Sequence, residues 1–234
     1  MPGKAALVTG ASKGIGRAVA KRLADTGLTI IAVARNEKEL ESLKDEIESS
    51  GGICQDYPAD LTNEKKIDDL INHISSLDLK IALVVHSAGV AHVGRIESFP
   101  IADWRKTLET NLTTPFLLTQ KSLPLLAPSA HLFFVNSVAG YHTFPEWSAY
   151  CVSKYGLRAL ADTLRKEQAV NGIKITSVYP TSVDTPMQDK LPYDWDRSKM
   201  LNVDDVARAI MNCYQQDDNV LIKEIILENI AGTF

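Results

Sequence analysis

No apolar run in this chain approaches the length that a membrane span requires. Runs such as "LTIIAVA" at residues 28–34 and "LFFV" at 132–135 fall far short of the roughly 20 residues that cross a bilayer as a helix. The first residues lack the long apolar stretch of a secretory signal. Cysteine is scarce. Cys54, Cys151 and Cys213 are odd in number and far apart, which argues against a disulfide framework and for a reduced, cytoplasmic protein. No CxxC motif occurs, and the five histidines form no cluster with metal-ligand spacing, so no metal is expected. Neither sign of charge forms a block. Lys and Arg total 25 against 29 Asp and Glu, a net charge of −4, so neither nucleic acid nor an anionic membrane surface is expected as a partner. Linkers, repeats and low-complexity segments are also missing. One domain spanning residues 1–234 is the expectation.

What is present is alternation. Strand-like apolar runs occur at Ala5–Thr9, Leu28–Ala34, Ile53–Tyr57, Ile81–His86, Ala130–Asn136, Ile173–Tyr179 and Ile222–Leu227. They are continuous rather than alternating in polarity, as strands buried on both faces must be. Between them lie helical patterns at Ile15–Thr26, Glu37–Ser49, Glu64–Ser75, Ala102–Leu126, Ser148–Ala169 and Val203–Gln215. Asn36 reads as the N-cap of the second helix and Gly172 as the terminator of the long one. Repeated strand–helix order with right-handed crossovers makes a doubly wound, Rossmann-type parallel sheet of about seven strands, with helices on both faces. The least regular segment, "TSVDTPMQDKLPYDWDRSKM" at residues 181–200, follows a strand's C-terminal end. Open α/β sheets bind ligands there, and a connection this long reads as a substrate-covering loop.

The turn "TGASKGIG" places Gly10, Gly14 and Gly16 between the first strand and the first helix. Glycine permits positive φ and close approach of a ligand to the backbone. The helix start behind it offers unpaired N–H groups and partial positive charge to a phosphate. The second strand ends in Ala34 and Arg35, where dinucleotide sites often carry an acid for the ribose hydroxyls. An arginine fork suits a 2′-phosphate instead, and Lys13 adds a second positive charge.

In "SAYCVSKYG", Tyr150 lies one helical turn before Lys154, on the same face, while Tyr155 points elsewhere and reads as packing or interface. An ammonium near a phenol favours the phenolate, so Tyr150 is expected to titrate below its usual value and to exchange a proton with a carbonyl or alcohol. Ser137, at the end of "FFVNS", is placed to hydrogen-bond the same oxygen. Asn111 sits inside a helical pattern, where asparagine is unfavourable without a reason. Together with Asp60–Leu61 and Ala88–Gly89, these residues occur in the order and context of a known family. Over nearly its whole length the chain resembles the short-chain dehydrogenases/reductases.

The resemblance implies that Tyr150 is the acid/base, that Lys154 lowers its pKa and holds the nicotinamide ribose, that Ser137 orients the substrate oxygen, and that Asn111 keeps a water in the proton relay. It implies cofactor contacts from Gly10, Ser12, Lys13, Gly14, Ile15, Gly16, Arg35, Asp60, Leu61, Ala88, Gly89, Tyr150, Lys154, Pro180, Val183 and Thr185. Two departures stand out. The family's "NNAG" is "HSAG" here, with His86 and Ser87, and its "PG" after the sixth strand is Pro180–Thr181. His86 reads as a structural strand-end histidine.

The expected function is NADPH-dependent reduction of a carbonyl compound, a ketone or aldehyde, reversible as alcohol oxidation, with NADPH/NADP+ as cofactor. The alternatives are an NAD-dependent alcohol dehydrogenase and a non-catalytic NADP(H)-sensing regulator, which has no need of Ser137, Tyr150 and Lys154 together. Tyr141, His142, Phe144 and Trp147 read as a pocket lining, which points to a partly apolar ketone or aldehyde. The helices at 102–126 and 148–169 are apolar around much of their girth, with Trp104, Leu108, Phe116, Leu157, Leu160 and Leu164. The resemblance implies that they pair across a two-fold axis in a homodimer or homotetramer.

Overall fold

The computed structural model of the chain describes residues 3–230; the last residues of the expected C-terminal tail, 231–234, lie outside them. Seven strands, β1 (Gly3–Thr9), β2 (Thr29–Ala34), β3 (Ile53–Pro58), β4 (Leu79–His86), β5 (Leu126–Val135), β6 (Lys174–Pro180) and β7 (Glu224–Leu227), form one sheet in the order β3-β2-β1-β4-β5-β6-β7. Every pairing is parallel. The order reverses between β1 and β4, the switch point at which such sheets open a crevice.

The continuous apolar strands are explained by two cores. Along β1, Ala6 and Val8 face one core, and Ala5 and Leu7 face the other. The first core is closed by α1 (Gly14–Ala24), α2 (Glu37–Ser49) and α7 (Val203–Tyr214), through residues such as Val19, Leu23, Leu40, Leu43 and Ile210. The second is closed by α3 (Glu64–Ser76), α5 (Thr114–Ser122) and α6 (Ser148–Gln168), through Ile67, Leu70, Leu118, Leu157 and Leu164. A strand residue on either side therefore leaves water, and polar alternation has no use. Helix starts follow their caps. The Asn36 side chain accepts from Glu39 N, and Asn202 and Asp205 form a reciprocal capping box on α7. Gly172 takes the left-handed conformation, φ 68°, beyond α6.

One expected helix is corrected. The pattern at 102–126 is not continuous: α4 (Ile101–Leu108) runs into a π-helical turn, Glu109–Thr113, before α5 begins, and β5 starts at Leu126 rather than Ala130. The cause is Pro115. It stands four residues after Asn111 and has no N–H for the Asn111 carbonyl, so the regular α pattern cannot pass through. The chain widens by one residue instead, and Thr114 N reaches back to Glu109 O.

Candidate active site

The C-terminal ends of the strands deliver the predicted residues to one edge of the sheet. Gly10 follows β1, Arg35 β2, Asp60 β3, Ser87–Gly89 β4, Ser137 β5 and Thr181 β6. The turn after β1 needs its glycines. Gly10 and Gly14 have φ of 66° and 54°. A Cβ on Gly10 would lie 2.9 Å from the Ala88 backbone, and one on Gly16 would lie 2.4 Å from Gly10 O. The first turn of α1 contains no acidic residue, and its N-cap, Lys13, makes no side-chain cap. Its N–H groups and dipole end thus face outward without an internal anion, as a phosphate-binding helix start requires. Arg35 is exposed and makes no hydrogen bond or ion pair among the described residues. Lys13 is less free than expected, because its Nζ is 2.6 Å from Glu39 Oε1. Thr185 leans over the turn, since a Cβ on Gly14 would lie 3.2 Å from its Cγ2.

The other cofactor candidates divide. Asp60 is exposed, and its carboxylate accepts from Thr62 N and Oγ1. Leu61 and Val183 have their side chains in the two cores, and Pro180 is buried, so Leu61 and Val183 present mainly backbone to the crevice. Ser12 and Ile15 lie half-buried in the turn. The departure "HSAG" leaves the local backbone anchored, because Ser87 N and Ala88 N both donate to Thr9 Oγ1, at 3.1 and 3.2 Å. His86 is buried against Phe134 and hydrogen-bonded to Thr119 at 2.9 Å, and burial pulls its pKa down to about 3. It is structural, as expected. Thr181, the other departure, is held by its N–H on Leu227 O.

Ser137, Tyr150 and Lys154 come together. The Ser137 hydroxyl lies close enough to the phenol to act on it electrostatically, and Lys154 Nζ lies 5.5 Å from the centre of the Tyr150 ring. Both are buried, at 9% and 5% exposure. Here an expectation is corrected. Burial pushes the phenol up to about 12, against a smaller opposing effect from Ser137. Burial also brings Lys154 down to about 8, and its ammonium donates to Val135 O at 2.9 Å rather than to the phenol. Desolvation of two adjacent groups outweighs their attraction across this distance.

The Asn111 side chain is fully engaged: its amide donates to Val90 O (2.9 Å) and Ser153 Oγ (3.0 Å), and its carbonyl accepts from Val90 N (2.9 Å). Any water it holds must meet its backbone. Two residues were missed by sequence reasoning. Asn136 accepts from Ser137 N and donates to Lys154 O, tying the β5 end to α6. Ser153 links Asn111 to the Tyr150 carbonyl. The asparagine directly before Ser137 was the available signal for the first. Of the expected pocket aromatics, Trp147 alone among the four makes a ring contact with Tyr150 and the 181–200 segment, meeting Tyr150 edge-on at 5.4 Å and Tyr193 at 6.1 Å. The Tyr141 ring packs instead on Tyr179 and under Arg158, while His142 and Phe144 are exposed. A separate groove of about 510 Å³ between α1, α2 and α7 holds charges that pair among themselves, Arg17 and Lys21 with Glu46, and Arg22 with Asp204. Among the described residues no group of acids, histidines and cysteines is arranged to hold a metal, and no helix is long and apolar enough to cross a membrane.

A doubly wound sheet with a glycine-rich turn at its switch point, and a serine, tyrosine and lysine beside it, defines a dinucleotide-dependent oxidoreductase. A family profile described as short chain dehydrogenase matches residues 4–195. The chain belongs to the short-chain dehydrogenase/reductase family, whose members use nicotinamide cofactors. It is 33% identical over 235 residues to a sepiapterin reductase of Chlorobaculum tepidum, covering 97% of this chain and 96% of that protein. It is 31% identical over 229 residues to an uncharacterised oxidoreductase of Staphylococcus epidermidis, covering 97% of each. Among solved structures it superposes with TM-score 0.83 on a metagenomic short-chain oxidoreductase in complex with NADP, at 25% identity and 96% coverage of both chains. An alcohol dehydrogenase of the archaeon Thermococcus sibiricus gives TM-score 0.90 at 23% identity, with 97% of both chains covered, a likeness of fold.

Proposed function

We propose that the protein is an NADPH-dependent carbonyl reductase with Tyr150 as its general acid. The observation that carries the reading is the buried phenol, beside Ser137 and one helical turn from Lys154, at the sheet edge that also holds the glycine-rich turn. When bound, a nicotinamide dinucleotide supplies the hydride that reduces the carbonyl carbon. The residues present fit such a group: the helix start at Gly14, with no acidic residue in its first turn and no side-chain cap, receives its phosphates, and the close turn of Gly10, Gly14 and Gly16 lets it reach the backbone. Arg35, exposed and unpaired, takes the 2′-phosphate, and Ala34 places no carboxylate against it. The metagenomic relative in complex with NADP points the same way.

In this reading Ser137 holds the substrate carbonyl oxygen and Tyr150 gives that oxygen a proton. A phenol held high by burial is neutral at physiological pH, the state a proton donor needs. Lys154 places positive charge near the phenolate that remains, and Asn111 and Asn136 fix the two strand-to-helix approaches to the site. The segment 181–200 covers the substrate. Three buried thiols among the described residues accord with a reducing, cytoplasmic setting. The test is ketone reduction by Tyr150→Phe. A loss of at least ~10²-fold in kcat, with NADPH binding retained, is expected for a missing general acid, while Tyr155→Phe loses far less. Equal losses in the two variants would remove Tyr150 from this role.

A further inference from the structure

Four aromatic rings form a chain that begins at the proposed acid. Tyr150 meets Trp147 edge-on at 5.4 Å. Trp147 and Tyr193 lie nearly parallel, 8° apart in plane, with centres 6.1 Å apart. Trp195 then meets Tyr193 at 5.0 Å. Trp147 and Tyr193 are each half-buried. The wall is also held in place. Tyr193 donates its hydroxyl to Glu146 Oε2 at 3.1 Å, and Glu146 itself sits in the left-handed region, φ 69°, with its carbonyl accepting from Gly94 N at 2.8 Å. A non-glycine residue keeps that conformation only where its surroundings impose it. Glu146 thereby pins the segment after β4, the segment before α6 and the 181–200 segment to one another.

We propose that Trp147 and Tyr193 determine substrate specificity, selecting neutral carbonyl compounds that carry a planar conjugated group on the carbonyl carbon. The proposal rests on the reading of Tyr150 as the proton donor to a carbonyl. A substrate whose oxygen meets the Tyr150 hydroxyl must send one substituent past Trp147, because that ring touches the tyrosine itself. Flat aromatic faces reward a flat π-system through offset stacking and reward a puckered ring of the same size less. At the Tyr193 end of the wall the Glu146 carboxylate is held against the ring, where it repels an anionic substituent and leaves a neutral one unopposed.

The experiment compares acetophenone with cyclohexyl methyl ketone, matched in size but not in flatness, in NADPH-dependent reduction, with 2-butanone as the small control. Conjugation makes acetophenone intrinsically the less electrophilic of the pair, so a preference for it has to come from the protein. The expected ratio of kcat/KM favours acetophenone by roughly two- to tenfold, the size of an aromatic pairing effect. Trp147→Leu and Tyr193→Leu each bring the ratio towards one, and Tyr193→Phe, which keeps the ring and loses only the bond to Glu146, preserves most of it. Because the readout is a ratio, partial loss of folded enzyme does not move it. A ratio near one in the unsubstituted protein, or a Tyr193→Phe loss as complete as that of Tyr193→Leu, overturns the proposal. Calorimetric binding of the two ketones to the complex with NADP+ separates the wall from the chemistry. Tighter acetophenone binding that Trp147→Leu abolishes supports the wall, and equal binding overturns it. Failure to reduce any of the three ketones while that binding preference persists overturns the reductase reading alone.

Discussion

At Tyr150 two effects oppose each other, and their sizes decide the pH behaviour. Burial holds the phenol at about 12 and Lys154 at about 8. Reduction requires the neutral phenol, which is present throughout the neutral range. The ammonium that offsets the resulting phenolate is lost as pH rises through about 8. The pH profile of kcat/KM for reduction should therefore be level near neutrality and fall on the alkaline side, whereas alcohol oxidation, which needs the phenolate, should rise with pH. A reduction rate that climbs steadily with pH would contradict this. Arg35 carries the second prediction at this scale. A charge-assisted bond to phosphate contributes roughly 1.5–3 kcal/mol, and exposure at the rim brings it to the low end. Arg35→Ala should weaken NADPH by about tenfold and leave NADH nearly unchanged. Titration of both cofactors at low and high salt measures it, since screening shrinks an exposed ion pair. Lys13, already paired with Glu39, has less to offer, so Lys13→Ala should cost less than Arg35→Ala.

Among the elements, the turn between β1 and α1 tolerates least. A methyl on Gly16 would meet Gly10 O at 2.4 Å, a contact with backbone that no side-chain rotation relieves. Gly16→Ala should cost roughly 1–3 kcal/mol of stability, as overpacking does, and weaken cofactor binding besides, because it moves the strand-to-helix junction. Chemical denaturation and cofactor titration report the two effects separately. The π turn at Glu109–Thr113 is the other sensitive element. Pro115→Ala supplies the missing N–H to the Asn111 carbonyl and permits a regular α pattern. That rearrangement would pull Asn111 from the Val90 backbone and Ser153, so kcat should fall while thermal stability holds or rises. A variant with unchanged kcat would show that the π turn serves packing alone.

For the molecule as a whole, two buried histidines set the acid limit. His86 and His131 are neutral in the fold, each drawn from 6.5 down to about 3 chiefly by burial. In the unfolded chain they take up protons below about 6.5. Their contribution is thus complete above that value and is lost as pH falls from there towards 3. Each can steepen the acid limb of stability by up to about 1.4 kcal/mol per pH unit. Denaturation curves across this range should lose slope in His86→Gln and His131→Gln. Assembly is the other prediction at this scale. Leu157 and Leu164, expected at an interface, lie in the chain's own core, and Trp104, Leu108 and Leu160 are half-buried. Phe116, Val152 and Tyr155 remain 44%, 47% and 40% exposed on α5 and α6. Sedimentation should find a dimer or tetramer at micromolar concentration, and Phe116→Asp should weaken it. A stable monomer would contradict the expectation.

The sequence by itself determined what depends on near neighbours along the chain. Uniformly apolar runs marked strands covered on both faces. Asn36 and Gly172 marked helix ends. The spacing from Tyr150 to Lys154 placed both on one helical face, and the glycines of the first turn announced a backbone that a ligand approaches. Each is a local rule of period, cap or φ, so a single sequence carries it. The rest required partners distant in the chain. Nothing near Lys13 foretells that Glu39 folds back on it, and nothing near Asn111 foretells that Val90 and Ser153 use up its amide. Pro115 was visible, but its effect on the helix appears only when its missing donor is matched to the Asn111 carbonyl. Tyr141 and Trp147 look alike in sequence, yet one turns to Tyr179 and Arg158 and the other to Tyr193. The expected lowering of the Tyr150 pKa failed for the same reason. Attraction to Lys154 follows from spacing, whereas the desolvation that outweighs it comes from every element packed around the pair, which only the tertiary structure brings together.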